Sequence, residues 1–371
     1  MASAVCSAGS LGEARAAADP PGVVLSATTV RINLSGLDLG VPTRAWQLRY
    51  RSTDALGQPI TASALLVVPR RGDASRRPLV GMGHGTEGLA DKCAPSRQYV
   101  AGTELESGML ALLLRRGWAV VVADGQGLGT EGESTYMVGQ SAGRTMLDAM
   151  RAARGFGDAG LPARSPTGLF GYSEGGATTV WAGELQPTYA PDVPLDGIVS
   201  GGAPADLNDA AKALNGSFFA TFLFAAAAGL DAAYPELDLP SFLTPRGKEQ
   251  LARLRAICTL EALPLGAFTT IDRWTTRNPL DDPAWQARLG ENQAGGRTPQ
   301  APVYLFHGRK DEILPYASVE KLFATYCALG VDATLRSYRA SHFETYLAGA
   351  QGATAWLGRR LRGEQGAGTC G

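Results

Sequence analysis

Histidine is scarce in this chain: His84, His307 and His342 are the three among 371 residues. Any imidazole chemistry must therefore come from one of three places. Cysteine is sparse too, with Cys6, Cys93, Cys258, Cys327 and Cys370. No two show C-x-x-C spacing and no histidine lies near them at ligand spacing, which argues against a zinc site and leaves no metal or other cofactor expected. Net charge is almost absent, at −1, so nothing electrostatic favours nucleic acid or an acidic membrane surface. The densest basic group, Arg70, Arg71, Arg76 and Arg77, sits beside proline and glycine and reads as a solvated loop. Long apolar runs are missing as well. The nearest, residues 218–230, is Ala-diluted and shorter than the roughly 18 residues that span a bilayer. The first twenty residues lack the basic-then-apolar order of a signal peptide. Residues 1–22 read as a disordered lead-in, and their sequence does not exclude export.

What is present begins with 45% hydrophobic residues, enough for a sizeable core. The length fits two domains or one α/β domain with an insertion. Residues 45–50 and 60–68 carry apolar residues between turn signals and predict an antiparallel hairpin. Beyond it, short apolar runs at 79–82, 119–123, 167–170, 198–200 and 303–306 alternate with amphipathic stretches such as 98–116 and 141–154. That alternation predicts a mostly parallel sheet with helices on both faces, in the outline of an α/β-hydrolase fold. The rhythm breaks at 205–299, which has no strand pattern, several prolines and helical pieces such as 247–258. It reads as a helical cap inserted into a core of residues 23–204 and 300–371. Four Phe fall within seven positions there; Phe218, Phe219 and Phe222 are candidates for the wall of an acyl pocket, with ordinary core packing as the alternative.

The most informative stretch is Gly171-Tyr172-Ser173-Glu174-Gly175-Gly176, preceded by Leu169-Phe170 and followed by a helix-compatible run. Strand, G-x-S-x-G, helix is the context of a nucleophile elbow, in which a sharp turn lifts the serine hydroxyl clear of the sheet. A serine hydroxyl needs a base, and the base needs an orienting carboxylate. In this outline the acid and then the histidine follow the serine in sequence. Asp311 stands four residues past the strand ending at Phe306-His307, in a Gly-containing turn, and His342 follows the strand-like residues 333–338. These two complete the candidate triad with Ser173. Glu312 is the rival acid. Asp124 reads as a turn residue or cap, and His307 as a packed, hydrogen-bonded histidine.

The tetrahedral intermediate also needs backbone N–H groups aimed at its oxyanion. Glu174, after the nucleophile, offers one. Gly83-His84-Gly85-Thr86, after the third strand of the pattern, offers the other, with Thr86 the first candidate and Gly85 the second. A peptidase, amidase or acyltransferase would use the same parts, although no propeller-like domain or charged subsite pattern is visible. For the cysteines, two disulfides with one spare and five reduced thiols both remain open.

The chain resembles the secretory lipase family. The resemblance rests on Gly83-His84-Gly85-Thr86 with Cys93-Ala94-Pro95-Ser96, on Gly127-Leu128-Gly129-Thr130, on the elbow, and on His307-Gly308 with Asp311 and Pro315. It covers residues 46–361. It implies an α/β-hydrolase with a helical cap that cleaves carboxylic esters without metal or organic cofactor. It implies a secreted enzyme with small-molecule or lipid esters as substrate and transient contact with a lipid interface; oligomeric state stays open. It also implies disulfides Cys93–Cys258 and Cys327–Cys370, leaving Cys6 free. One departure is Gly125-Gln126 after Asp124, where many members carry an aromatic residue, and this puts the acyl preference in question.

Overall fold

The computed structural model describes residues 19–37 and 40–370; Cys6 and most of the lead-in lie outside them. A single sheet organises the chain, in the order β1-β2-β3-β5-β4-β6-β7-β8-β9. It opens with β1 (Val24–Val30), β2 (Thr43–Thr53) and β3 (Pro59–Pro69), which form an antiparallel meander. The expected hairpin is β2 and β3. The edge strand β1 escaped the sequence pattern because its face is solvated and no apolar alternation marks it.

Parallel strands follow: β4 (Leu79–Gly83), β5 (Ala119–Ala123), β6 (Thr167–Tyr172), β7 (Gly197–Gly201), β8 (Val303–Gly308) and β9 (Ala333–Tyr338). From β4 to β8 every residue is buried, which is why these strands read as continuous apolar runs rather than alternating ones. Helices α1 (Pro95–Ala101), α2 (Ser107–Arg115), α3 (Gly139–Gly155) and α4 (Glu174–Tyr189) come in the first half. The expected helix at 98–116 is two, because Gly102 takes the left-handed conformation at φ 77° and ends α1. Arg77 also departs from the solvated-loop reading; it is buried, and its guanidinium donates to the Arg71 carbonyl.

Between β7 and β8 the chain forms helices only: α5 (Leu207–Leu214), α6 (Ala220–Ala233), α7 (Leu239–Phe242), α8 (Pro245–Leu254), α9 (Thr259–Gly266), α10 (Ile271–Trp274) and α11 (Pro283–Glu291). They share a hydrophobic cluster, with Phe224 stacked on Trp274, that also takes in Ala55, Leu89, Tyr136 and Val138. The last helices, α12 (Tyr316–Ala328) and α13 (His342–Arg360), flank β9. One face of the sheet packs on α1, α2 and α13, the other on α3, α4 and α12.

The chain order reverses between β4 and β6, since β5 lies on one side of β4 and β6 on the other. Such a switch point opens a crevice at the carboxyl ends of the strands. Gly83 leads out of β4 there and Ser173 out of β6.

Candidate active site

Ser173 occupies the turn between β6 and α4 with φ 56° and ψ −122°. A side chain in that region costs about 1–3 kcal/mol. Its N–H donates to Gly201 O and its carbonyl accepts from Ala177 N; these bonds hold the strained turn. The glycines of the motif permit the approach that follows. A Cβ on Gly175 would stand 2.1 Å from the Gly83 carbonyl oxygen, so α4 can press against the end of β4 only with glycine in that place. This contact brings the loop after β4 beside the nucleophile.

Asp311 and His342 meet beyond β8 and β9. His342 Nδ1 donates to Asp311 Oδ2 at 2.7 Å, and both side chains are buried. The other oxygen of Asp311 accepts from the N–H groups of Ile313 and Leu314. Burial pushes the Asp311 carboxyl up, but hydrogen bonds from His307 and His342 outweigh it and hold the group well below the usual carboxylate range. His342 is the first residue of α13, behind a capping box of Ser341 and Glu344, rather than in a loop. Its ring packs 5.0 Å from that of Tyr172, whose hydroxyl donates to the His342 carbonyl. Since Tyr172 precedes Ser173, the elbow and the histidine are mechanically linked.

The rivals fall into supporting places. Glu312 accepts from the backbone N–H of His342, not from its ring. Asp124 is buried and accepts from Ser63 and from the N–H and hydroxyl of Ser96, capping α1. His307 is packed as expected, donating to Leu314 O, yet it also lies 3.2 Å from Asp311 Oδ2. That second contact had no sequence signal.

On the opposite side of the nucleophile, Gly85 donates its N–H to Glu106, which removes it as an oxyanion donor. Among the described residues no backbone hydrogen bond engages the N–H of Thr86 or of Glu174. The Thr86 hydroxyl bonds Tyr136 at 2.9 Å. Beneath the loop, burial raises the Glu106 carboxyl to about 8 and lifts Glu87 and Glu104 as well.

Thr86, Ser173 and Glu174 line a cavity whose remaining surface comes from the helices between β7 and β8 and from loops, including Leu214, Phe222, Leu251, Trp274 and Leu314. Its polar lining is confined to Thr86, Tyr136, Ser173, Glu174 and Thr275. Of the three candidate phenylalanines, only Phe222 reaches this lining. Phe218 precedes the first turn of α6 and is exposed, beside the exposed Phe268; Phe219 is half-buried, stacked on Phe222 and packed against the same apolar cluster, with exposed Phe343 on its other side. Disulfides link Cys93 to Cys258 and Cys327 to Cys370, as the resemblance implied. The first ties the loop after β4 to the start of α9, and Thr259 N–H to Glu87 O adds a backbone link beside it.

A serine held on a strained strand-to-helix turn, over a switch point of a mostly parallel sheet, defines the class: the molecule is an α/β-hydrolase. The secretory lipase profile matches residues 94–368. The chain belongs to that family and is a carboxylic ester hydrolase. It is similar to a secreted triacylglycerol lipase of Malassezia globosa, 28% identical over 86% of this chain and 73% of that one. A Mycobacterium tuberculosis protein named as a probable inactive lipase is 29% identical over 93% of this chain and 79% of its own. Candida antarctica lipase A in its closed state superposes with a TM-score of 0.86, at 25% identity, covering 94% of this chain and 85% of the other.

Proposed function

We propose that this protein cleaves esters with apolar acyl chains through an acyl-enzyme on Ser173. His342 takes the serine proton as the hydroxyl attacks the ester carbonyl, then returns it to the departing alcohol. Asp311 holds the imidazole with Nδ1 protonated, so that Nε2 is the free base. The N–H groups of Thr86 and Glu174 receive the oxyanion, where losing one donor typically costs about 10²–10³ in kcat. His342 then activates water to release the acid.

One observation carries the substrate class: the cavity that opens on Ser173 is apolar nearly throughout. Residues 205–299 act as its cap, and an acyl chain laid along it leaves water. Outside, Phe218, Phe268 and Phe343 are exposed, and Phe268 holds φ at 58°. Strain in an exposed aromatic fits a lipid-facing rim. The two disulfides and the secreted relatives support an extracellular setting.

A series of p-nitrophenyl esters from acetate to palmitate tests the proposal, with Ser173→Ala as the blank. Rising kcat/KM with chain length is expected, and the blank should show no turnover above buffer. Acetate as the best substrate, with a steady fall beyond it, would contradict the acyl assignment. Ala227→Trp places an indole in the cavity lining. It should lower kcat/KM on palmitate relative to butyrate by about tenfold or more, because lost apolar contacts are worth that much.

A further inference from the structure

His307 stands beside the triad without a part in the chemistry above. It is the penultimate residue of β8 and its side chain is fully buried. Gly308 follows, and a Cβ there would stand 2.4 Å from the Ala340 carbonyl oxygen. The strand end therefore presses on the loop that leads into His342, and the chain turns back through Asp311 N–H to Gly308 O. This turn sets the Asp311 carboxylate between two imidazoles. His342 Nδ1 is 2.7 Å from Oδ2, and His307 Nε2 is 3.2 Å from the same oxygen. The tautomer of His307 follows from its partners. Nε2 also faces the Leu314 carbonyl at 3.1 Å, which can only accept, so Nε2 carries a proton. Nδ1 is buried with no partner, and a second proton there would be an unpaired buried donor. The ring is thus neutral, with its one N–H set against Leu314 O and Asp311 Oδ2.

We propose that His307 is a positioning residue: its Nε2–H steadies the Asp311 oxygen that holds His342, and so keeps the base aimed at Ser173. The proposal rests on the triad reading above and deepens it. Asp311 Oδ1 is fixed by the N–H groups of Ile313 and Leu314. The His307 contact on Oδ2 completes the set that stops the carboxylate turning. It also draws on the charge of that oxygen. A carboxylate that shares its charge with a second donor favours the His342 imidazolium less, so the base is free at lower pH. The other titratable and charged groups facing this pair are Tyr172 from β6, Tyr316 from α12, and Glu312 and Arg309 from the turn itself.

The test compares His307→Phe, which keeps a ring and removes the donor, with His307→Gln, whose amide nitrogen reaches the place of Nε2. Kinetics on p-nitrophenyl butyrate are followed from about pH 4 to 9, with the Ser173→Ala rate subtracted and circular dichroism checking the fold. His307→Phe should lower kcat by about tenfold, the worth of one positioned hydrogen bond, with KM within about twofold of wild type. The acid limb of its kcat/KM should move to higher pH by about half a unit or more, because the uncompensated carboxylate holds the His342 proton longer. His307→Gln should return kcat to within about threefold of wild type and restore the limb. Lost packing alone would not move that limb. An unmoved limb in His307→Phe, or equal kcat losses in the two variants, would overturn the proposal. Nitrogen NMR of the wild-type protein labelled at histidine gives a reading that needs no variant to fold. At about pH 7 it should find His307 protonated on Nε2 alone, and a proton on Nδ1 alone would equally overturn the proposal. If instead the Ser173→Ala rate matched wild type, the triad reading itself would fail.

Discussion

Asp311→Asn lowers kcat on p-nitrophenyl butyrate by about four orders of magnitude, whereas Glu312→Gln lowers it by less than about tenfold. The difference comes from which part of His342 each acid holds. The substituted asparagine keeps one oxygen to accept from Ile313 and Leu314 N–H, so the turn survives. Its amide N–H₂ then faces His342 Nδ1, where Asp311 Oδ2 accepted at 2.7 Å. The imidazole answers by moving its proton to Nε2, and a protonated Nε2 cannot take the serine proton. Glu312 supports the histidine through its main chain at 2.9 Å, and glutamine retains an oxygen for that bond. Steady-state rates of the two variants beside wild type decide the matter. Comparable losses in both, or an Asp311→Asn enzyme above a tenth of wild-type kcat, would contradict the assignment.

The second large effect concerns stability. Cys93–Cys258 closes a loop with a sequence separation of 165 and Cys327–Cys370 one of 43. Chain entropy puts the first at about 5 kcal/mol and the second at about 4 kcal/mol. For a chain of this length about 5 kcal/mol corresponds to a Tm lower by about 6 °C. The Cys93→Ala/Cys258→Ala double variant should show that drop by calorimetry. It should also lose kcat, because the bond ties α9 to the loop that carries Thr86, leaving non-covalent links such as the backbone contact of Thr259 with Glu87, the Gly88–Cys258 bridge and the exposed Lys92–Glu261 ion pair. The Cys327→Ala/Cys370→Ala pair joins the end of α12 to the carboxyl tail, far along the sheet, and should cost Tm with little change in kcat. A shift under about 1 °C for the first pair would contradict the loop-entropy argument.

Much of this is legible in the residues alone. Strands β4 to β8 are buried on both faces, so their residues are mostly apolar and stand out from the helices between them. The elbow, Asp311 and His342 are readable because each needs a fixed place after a strand, and three histidines leave few ways to choose. What escaped depends on contacts that no local pattern records. The edge strand β1 turns its side chains to solvent. The break at Gly102 is visible as a glycine, but the amphipathic pattern runs through it. Phe218 shares a run with Phe219 and Phe222, and only the start of α6 separates its exposed ring from the other two. The contact of His307 with Asp311 depends on how the turn after β8 folds back on the strand end, which no apolar pattern records.

The most direct test of the central claim is covalent labelling with a fluorophosphonate, followed by mass spectrometry of the digested protein. A single adduct on Ser173, formed in step with loss of esterase activity and absent from Ser173→Ala, is the expected result. An unlabelled Ser173 in a protein whose activity disappears, or full inhibition with the adduct on another residue, would contradict it.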